Sequence, residues 1–171
     1  MNEIWYLLKC PKDHETEYTE KYLNSARSSE WTEVVCFRYQ RLMRYGGRWH
    51  LEKKLLLPGY IFLSRSDMTK TEELNRQTGR GVDGNVPISL SLIPCEIPYA
   101  RMLCQDGNLV PMSRGVIRNG KPAVLSGPLK GRENLIRKID RHKRTARIEI
   151  PLGGEQKQIT VGLEIYEKEQ D

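Results

Sequence analysis

The spacing of hydrophobic residues predicts that the chain opens with a strand and a helix. Ile4–Cys10 is rich in aromatic and β-forming residues, which is typical of a strand. Tyr18, Tyr22 and Ala26 then recur at helical spacing and predict a helix that runs to about Arg27.

A β-hairpin is predicted next. Glu33–Leu42 is predicted to be one strand, Tyr45–Arg48 contains two glycines and supplies the turn, and the chain returns through Lys53–Leu57. A Pro-Gly pair interrupts this segment before Tyr60–Leu63 resumes as a strand. We further expect a helix from Asp67 to Gly79, a strand at Val86–Leu92 and a helix at Pro94–Gln105. The resulting order β-α-β-β-α-β-α predicts an α+β sandwich, with helices on one side of an antiparallel sheet.

The rest of the chain has a different pattern. Residues 109–119 are part of a stretch with linker composition, and the residues that follow contain short alternating segments separated by tight turns. These segments are Pro122–Leu125, Asn134–Ile139, Thr145–Leu152 and Gln156–Val161. We therefore predict two domains, residues 1–108 and 120–171, of which the second is a small five-stranded β-barrel.

Charge is concentrated in the second half. The chain has 28 Lys plus Arg and 22 Asp plus Glu, for a net charge of +6. Up to Asn108 the net charge is +1 and from Leu109 onward it is +5, while Arg118–Arg147 has ten cations and two anions. This asymmetry predicts that the second domain binds a polyanion, and the alternative is a solvated, charge-rich surface. Arginine favours the first interpretation, because its planar fork fits phosphates and guanine edges.

Several classes of protein are excluded by what the sequence lacks. It has no apolar run of membrane-spanning length and no signal peptide at its start, so we expect a soluble, cytoplasmic protein. Four scattered cysteines, Cys10, Cys36, Cys95 and Cys104, form no close pair, and we expect reduced thiols with no metal.

No motif argues for an enzyme. The stretch Gly79–Gly84 matches G-x-G-x-x-G, but it follows a predicted helix, whereas a dinucleotide loop must follow a strand and open a helix. Three histidines, His14, His50 and His142, belong to no metalloprotease motif. We expect neither a catalytic site nor a cofactor. A monomer is expected, because no heptad seam is present.

Three motifs, taken in order, resemble the NusG family of transcription elongation factors. They are Trp5-Tyr6, the run Leu55–Phe62 around Pro58-Gly59, and Gly127–Gly131 followed by Ile139-Asp140. The third corresponds to the KOW motif of the family's barrel. The resemblance implies a NusG-like (NGN) domain that binds the clamp coiled coil of bacterial RNA polymerase, joined to a KOW domain.

The resemblance also implies site residues in the first domain. Those facing RNA polymerase would be Trp5, Leu57, Pro58, Gly59 and Tyr60. Those near the non-template DNA strand would be Asn75, Arg76, Gln77 and Thr78.

The predicted barrel departs from the housekeeping pattern. Asn134 stands where the family has a second glycine, and Leu152 stands where many members have an aromatic. With its dense basic run, the chain is most similar to the LoaP branch, whose members are antiterminators that recognise a leader RNA. Tyr166 is the one aromatic residue of this predicted domain, so a folded RNA suits it better than stacked single-stranded bases. The RNA-binding residues we predict are Lys130, Arg132, Arg137, Lys138, Arg141, His142, Lys143, Arg144 and Arg147, together with Arg41, Arg44, Arg48, Lys53 and Lys54 on the first domain's hairpin.

Two other functions remain open at this point. One is a general elongation factor or an adapter that couples transcription to translation, which requires the barrel to bind a protein. The other is a KOW RNA-binding module without polymerase contact, which leaves the N-terminal domain unexplained.

Overall fold

The computed structural model describes residues 4–24, 31–65, 93–94, 98–152 and 154–169. The chain divides into two compact units. Unit 1 comprises Met1–Cys36 and Leu57–Ile97, and unit 2 comprises Phe37–Leu56 and Pro98–Asp171. The domain ranges expected from the sequence, 1–108 and 120–171, stay predictions.

The strands of the described residues are β1 (Ile4–Lys9), β2 (Glu33–Val35), β3 (Arg38–Tyr45), β4 (Arg48–Leu55), β5 (Tyr60–Arg65), β6 (Ile93–Pro94), β7 (Leu109–Val110), β8 (Ser113–Arg118), β9 (Lys121–Ser126), β10 (Ile136–Asp140), β11 (Thr145–Leu152) and β12 (Glu155–Glu169). The helices are α1 (Glu15–Asn24) and α2 (Pro98–Leu103), with a 3₁₀ turn at Glu133–Leu135. None of the helices in these ranges is long and apolar enough to cross a membrane.

Unit 1 is an antiparallel sheet with a helix packed on it. The sheet order is β2-β5-β1-β6. Tyr18 and Tyr22 of α1 are buried against a core that includes Tyr6, Trp31 and Ile61. The helix expected from the spacing of the two tyrosines is therefore confirmed between Glu15 and Asn24. The predicted helix from Asp67 and the strand at Val86–Leu92 lie outside the described residues.

Unit 2 contains a five-stranded sheet of order β10-β11-β12-β8-β9 and a three-stranded sheet of order β4-β3-β7. Leu129, Ile148, Ile150 and Leu163 are completely buried beneath the larger sheet and its connections. Five strands were predicted here and five are present. In the part of the chain that the structure describes, β9 and β10 are the sheet's two edges, so closure into a barrel stays a prediction.

One of these strands, β8, occupies residues for which composition predicted a linker. β8 lies between β12 and β9, and it pairs with β12 in parallel. Gly115 of β8 is required by packing, because a Cβ there would lie 2.5 Å from the carbonyl oxygen of Ala123. Residues 113–118 thus form a strand in which one glycine is needed for close packing, and the linker boundaries 109–119 stay a prediction.

The hairpin prediction is confirmed at its turn and wrong at its first strand. Tyr45 pairs with Arg48 across a two-residue turn in which Gly46 and Gly47 have φ of +57° and +74°. Glu33–Leu42, however, is two strands in two sheets, since β2 pairs with β5 of unit 1 and β3 pairs with β4 of unit 2. Alternation along one segment does not reveal that the chain changes sheets.

The β3–β4 hairpin packs directly on β12 within unit 2. Gly162 of β12 lies against the carbonyl oxygen of Gln40 and the sulfur of Met112, with no room for a Cβ atom. The side-chain oxygen of Gln40 accepts a hydrogen bond from the backbone N–H of Met112 at 3.1 Å. The hairpin, predicted to belong to the first domain, therefore forms one compact body with the basic C-terminal strands.

The division into units 1 and 2 separates basic from acidic residues more sharply than the division of the sequence at residue 108 does. Unit 2 has 20 basic and 10 acidic side chains, a net charge of +10, whereas unit 1 has 8 basic and 12 acidic, a net charge of −4. The excess of basic residues from which polyanion binding is predicted therefore lies in unit 2.

Candidate nucleic-acid interface

An open groove of about 300 Å³ on unit 2 is lined by cations from both the hairpin and the five-stranded sheet. This surface is named the basic groove, and its lining residues are Tyr39, Arg41, Lys138, Asp140, Lys143, Thr145, Arg147 and Thr160. Four cationic side chains and one carboxylate give it a net charge of +3. The structure thereby brings together Arg41 of the hairpin with three of the predicted C-terminal cations.

Arg41 carries a donor that has no acceptor. Its Nε is buried and has no hydrogen-bond partner among the described residues. A buried donor left unsatisfied costs about 1–3 kcal/mol. Because Arg41 lines the basic groove, an anion bound there would lie beside this guanidinium.

The other three cations of the groove are exposed. Lys138, Lys143 and Arg147 make no ion pair within the described ranges. Their charged groups are therefore not held by a direct ion pair in these ranges and can contact a ligand.

Strand register arranges part of the groove as a row. Lys138 of β10 lies opposite Arg147 of β11, which lies opposite Thr160 of β12. Adjacent strands are about 4.8 Å apart, so the row spans about 10 Å across three strands. Two cations and a hydroxyl at this spacing present donors to successive oxygens of an extended anion.

Asp140 shapes the turn that positions Lys143. Its Oδ1 accepts a hydrogen bond from the backbone N–H of Lys143 at 2.9 Å. This bond is the largest cause that holds the pKa of Asp140 below its ordinary value, and the nearby Lys143 and His142 charges add to it. The carboxylate is thus ionised at neutral pH, and the turn 141–144 is held in place by an internal bond.

The remaining predicted RNA-binding residues fall into two groups. Arg132, Arg137 and Arg144 are engaged within the protein: they bond to the carbonyl oxygen of Pro128 at 2.9 Å, to Glu149 at 2.9 Å and to Glu164 at 2.7 Å, respectively. The others are exposed on turns or on the hairpin, and they are Lys130, Arg141, His142, Arg44, Arg48, Lys53 and Lys54. Of these, Lys54 pairs with Glu52 at 3.2 Å.

Aromatic residues of the hairpin were missed by sequence reasoning. Tyr45 stacks on His50 with ring centroids 3.7 Å apart, and the guanidinium of Arg144 lies 3.6 Å from the ring centroid of Trp49. Only Tyr166 had been counted, because the hairpin was assigned to the other domain. The sequence also gives no sign of the hydroxyl groups of Tyr39, Thr145 and Thr160 in the groove, because only the tertiary structure places them beside the cations.

The residues expected to face RNA polymerase lie in unit 1 and are mostly buried. Trp5, Leu57 and Gly59 are buried, Pro58 is exposed, and Tyr60 is half-buried. Polymerase binding by this segment stays a prediction. The predicted DNA contacts Asn75, Arg76, Gln77 and Thr78 lie outside the described residues.

Within the described ranges the cysteines are not part of a metal-binding cluster. Cys10, Cys36 and Cys104 are half-buried and belong to no disulfide, and no group of three or more metal-binding side chains is found there. Burial, reinforced by the charge of Glu15, raises the pKa of Cys10 to about 12. Cys95 is not among the described residues.

Comparisons with known proteins find similar solved structures but no matching family. No family model matches the chain, and no curated protein matches it. The chain is similar to a structure described as "Domain interaction in Thermotoga maritima NusG", at 15% identity over 96% of this chain and 95% of that one, with a TM-score of 0.47. A likeness of this degree establishes neither family nor function.

Proposed function

We propose that the chain is a processive transcription antitermination factor of NusG type, in which unit 2 binds a structured leader RNA. The observation that carries the proposal is the basic groove, where a buried donor of Arg41 without an acceptor lies beside three unpaired cations. The ordered motifs that resemble the NusG family supply the transcriptional role.

A nucleic acid suits the groove better than a small anion does. Exposed cations continue beyond the groove onto the turn that carries Arg141 and onto the hairpin that carries Arg48 and Lys53. A phosphate backbone engages such an extended surface, whereas a single small anion occupies only the groove. The net charge of +10 on unit 2 favours the same ligand.

In this proposal unit 1 provides the contact with RNA polymerase. Pro58 and the accessible part of Tyr60 form the contact, and buried Trp5, Leu57 and Gly59 hold them in place. Asn75, Arg76, Gln77 and Thr78 are proposed to lie near the non-template strand on the family resemblance alone. The protein acts in the cytoplasm as a monomer and without a cofactor.

The test is a salt series of binding to a leader-type RNA hairpin. With roughly five phosphates neutralised, log affinity falls against log salt with a slope of about −4. The double variant Lys138→Ala/Lys143→Ala should flatten the slope by about 2, since two phosphate contacts are lost. The variant Arg118→Ala/Lys121→Ala removes the same charge from the β8–β9 turn, outside the groove, and serves as the matched control.

Antitermination is measured alongside, as read-through of a terminator downstream of the RNA hairpin by bacterial RNA polymerase. The groove variant should lose read-through and the control variant should keep it. Equal slopes and equal affinities for the two variants would show that the basic groove is only a solvated surface. RNA binding without any read-through would instead support an RNA-binding module that does not act on polymerase.

A further inference from the structure

We propose that the ring of Tyr45, at the tip of the β3–β4 hairpin, stacks on an unpaired base of the RNA whose backbone occupies the basic groove. This inference rests on the proposed function, because it takes RNA to be the ligand of unit 2. It specifies which part of the RNA is recognised: a looped-out or bulged base, in addition to phosphates.

Two neighbouring side chains, those of His50 and Glu52, hold Tyr45 in a fixed orientation. Its ring stacks on His50 with an angle of 6° between the planes, and a ring nitrogen of His50 lies 3.2 Å from its backbone oxygen. The carboxylate of Glu52, which Lys54 holds by an ion pair at 3.2 Å, lies beside the Tyr45 hydroxyl and, after burial, is the main cause that raises the pKa of Tyr45. Little conformational entropy is therefore lost when a ligand contacts this ring.

The ring is nonetheless accessible. Tyr45 is 51% exposed although His50 covers one face of its ring. Trp49, the other large aromatic of the tip, is less suitable, because the guanidinium of Arg144 already lies over its ring. Of Tyr45 and Trp49, Tyr45 is thus the residue whose ring has a face accessible to a base.

Strand geometry places Tyr45 in line with the basic groove. Side chains two residues apart in a strand share a face, so Tyr39, Arg41, Met43 and Tyr45 lie on one face of β3. Tyr39 and Arg41 line the groove. Four residues separate Arg41 from Tyr45, which corresponds to about 13 Å along the strand.

A short extended stretch of RNA covers that distance. With a phosphate at Arg41, a neighbouring nucleotide reaches the hairpin tip, where exposed Arg48 lies opposite Tyr45 in the strand register. An aromatic ring beside cations can bind a base by stacking while the cations bind the phosphate of the same nucleotide. In a continuous duplex the bases are stacked within the helix and are not available to the ring.

The experiment compares two RNA hairpins that differ only in their loops. One loop contains uridines and a 2-aminopurine, and the other contains the same number of abasic nucleotides, so the number of phosphates is equal. Binding is measured for the full chain, for Tyr45→Ala and Tyr45→Phe, and for Tyr166→Ala as a matched control, since Tyr166 is a 58% exposed tyrosine on β12.

We expect wild type and Tyr166→Ala to prefer the hairpin with bases in its loop, and to quench 2-aminopurine fluorescence on binding. Tyr45→Ala should weaken binding to that hairpin roughly 5- to 100-fold, as expected for loss of one stacked base. It should leave binding to the abasic hairpin and the salt slope unchanged. Tyr45→Phe should bind nearly as wild type, because it keeps the ring.

Two outcomes overturn the inference while leaving RNA binding intact. One is equal affinity of the wild type for the two hairpins, and the other is an equal effect of Tyr45→Ala and Tyr166→Ala. Failure of the wild type to bind either hairpin would instead overturn the proposed function. If the far-ultraviolet circular dichroism spectrum shows that Tyr45→Ala is misfolded, the same comparison is made with Tyr45→Leu, which keeps apolar volume without a ring.

Discussion

The carboxylate of Glu15 accepts a hydrogen bond from the backbone N–H of Gly59, with 2.6 Å between Glu15 Oε1 and Gly59 N. Glu15 is 1% exposed and opens α1, while Gly59 lies in the turn before β5 with φ of +85°. The carbonyl oxygen of Gly59 in turn accepts a bond from the N–H of Cys10. The turn that carries the predicted polymerase contacts is therefore fixed by a helix on one side and by the end of β1 on the other.

Glu15→Ala should destabilise the protein by about 1–3 kcal/mol, because it leaves the N–H of Gly59 buried without an acceptor. Urea unfolding measures the change in the free energy of unfolding. Glu20→Ala removes an exposed carboxylate from the same helix and should cost at most about 0.5 kcal/mol. Equal losses for the two variants would mean that the bond to Gly59 contributes nothing specific.

Tyr60→Ala should weaken binding to bacterial RNA polymerase by about 1–3 kcal/mol, since an aromatic residue at an interface commonly contributes that much. The affinity is measured by titration with labelled protein, and thermal unfolding is recorded for the same samples because Tyr60 is half-buried. Leu23→Ala, at an exposed apolar residue of α1, is the control and should bind normally. A folded Tyr60→Ala variant with undiminished affinity would remove this residue from the polymerase contact.

Asp140→Asn should raise affinity for RNA several-fold, because the groove loses its one carboxylate while an amide oxygen can still accept from the N–H of Lys143. Affinity is measured at low salt, where the gain should be largest, and the gain should shrink as salt is added. Unchanged affinity would show that RNA does not pass near the 141–144 turn.

The same residue predicts a pH effect on stability. The pKa of Asp140 is lowered in the folded protein, so its ionised form stabilises the fold at neutral pH, and this contribution is lost as the pH falls through that lowered pKa. The difference in stability between wild type and Asp140→Asn should therefore be constant near neutrality and disappear in acid. A difference that persists at low pH would mean that the charge of Asp140 is not its source.

Cys10 and Cys104 should react slowly with iodoacetamide in the folded protein. Burial is the main cause that raises the pKa of Cys10 to about 12 and that of Cys104 to about 11, so very little thiolate forms at neutral pH. Mass spectrometry of peptides should show both sites modified on the order of 100-fold more slowly than in urea. Rapid modification of either thiol without urea would contradict its burial.

Local chemistry made some elements predictable from sequence. The Gly46-Gly47 turn is one, since two successive residues at positive φ almost require glycine, and the Tyr18–Tyr22 face of α1 is another. β8 was missed because its place is decided by a parallel partner some fifty residues away in sequence, and not by its own pattern. The candidate site was only partly predictable for the same reason. The sequence identifies each cation separately, but it does not show that Gln40 packs against Gly162 and that Arg41 and Lys143 line one groove.

That contact at Gly162 has a practical consequence for dissecting the molecule. A C-terminal fragment that starts after residue 108 would retain the basic strands but lack β3 and β4, and with them Tyr39, Arg41 and Tyr45. It would also expose the surface of β12 that the hairpin covers. Weak RNA binding by such a fragment would therefore reflect the missing hairpin residues and not the properties of the whole of unit 2. A fragment that represents unit 2 must keep residues 37–56 together with the C-terminal strands.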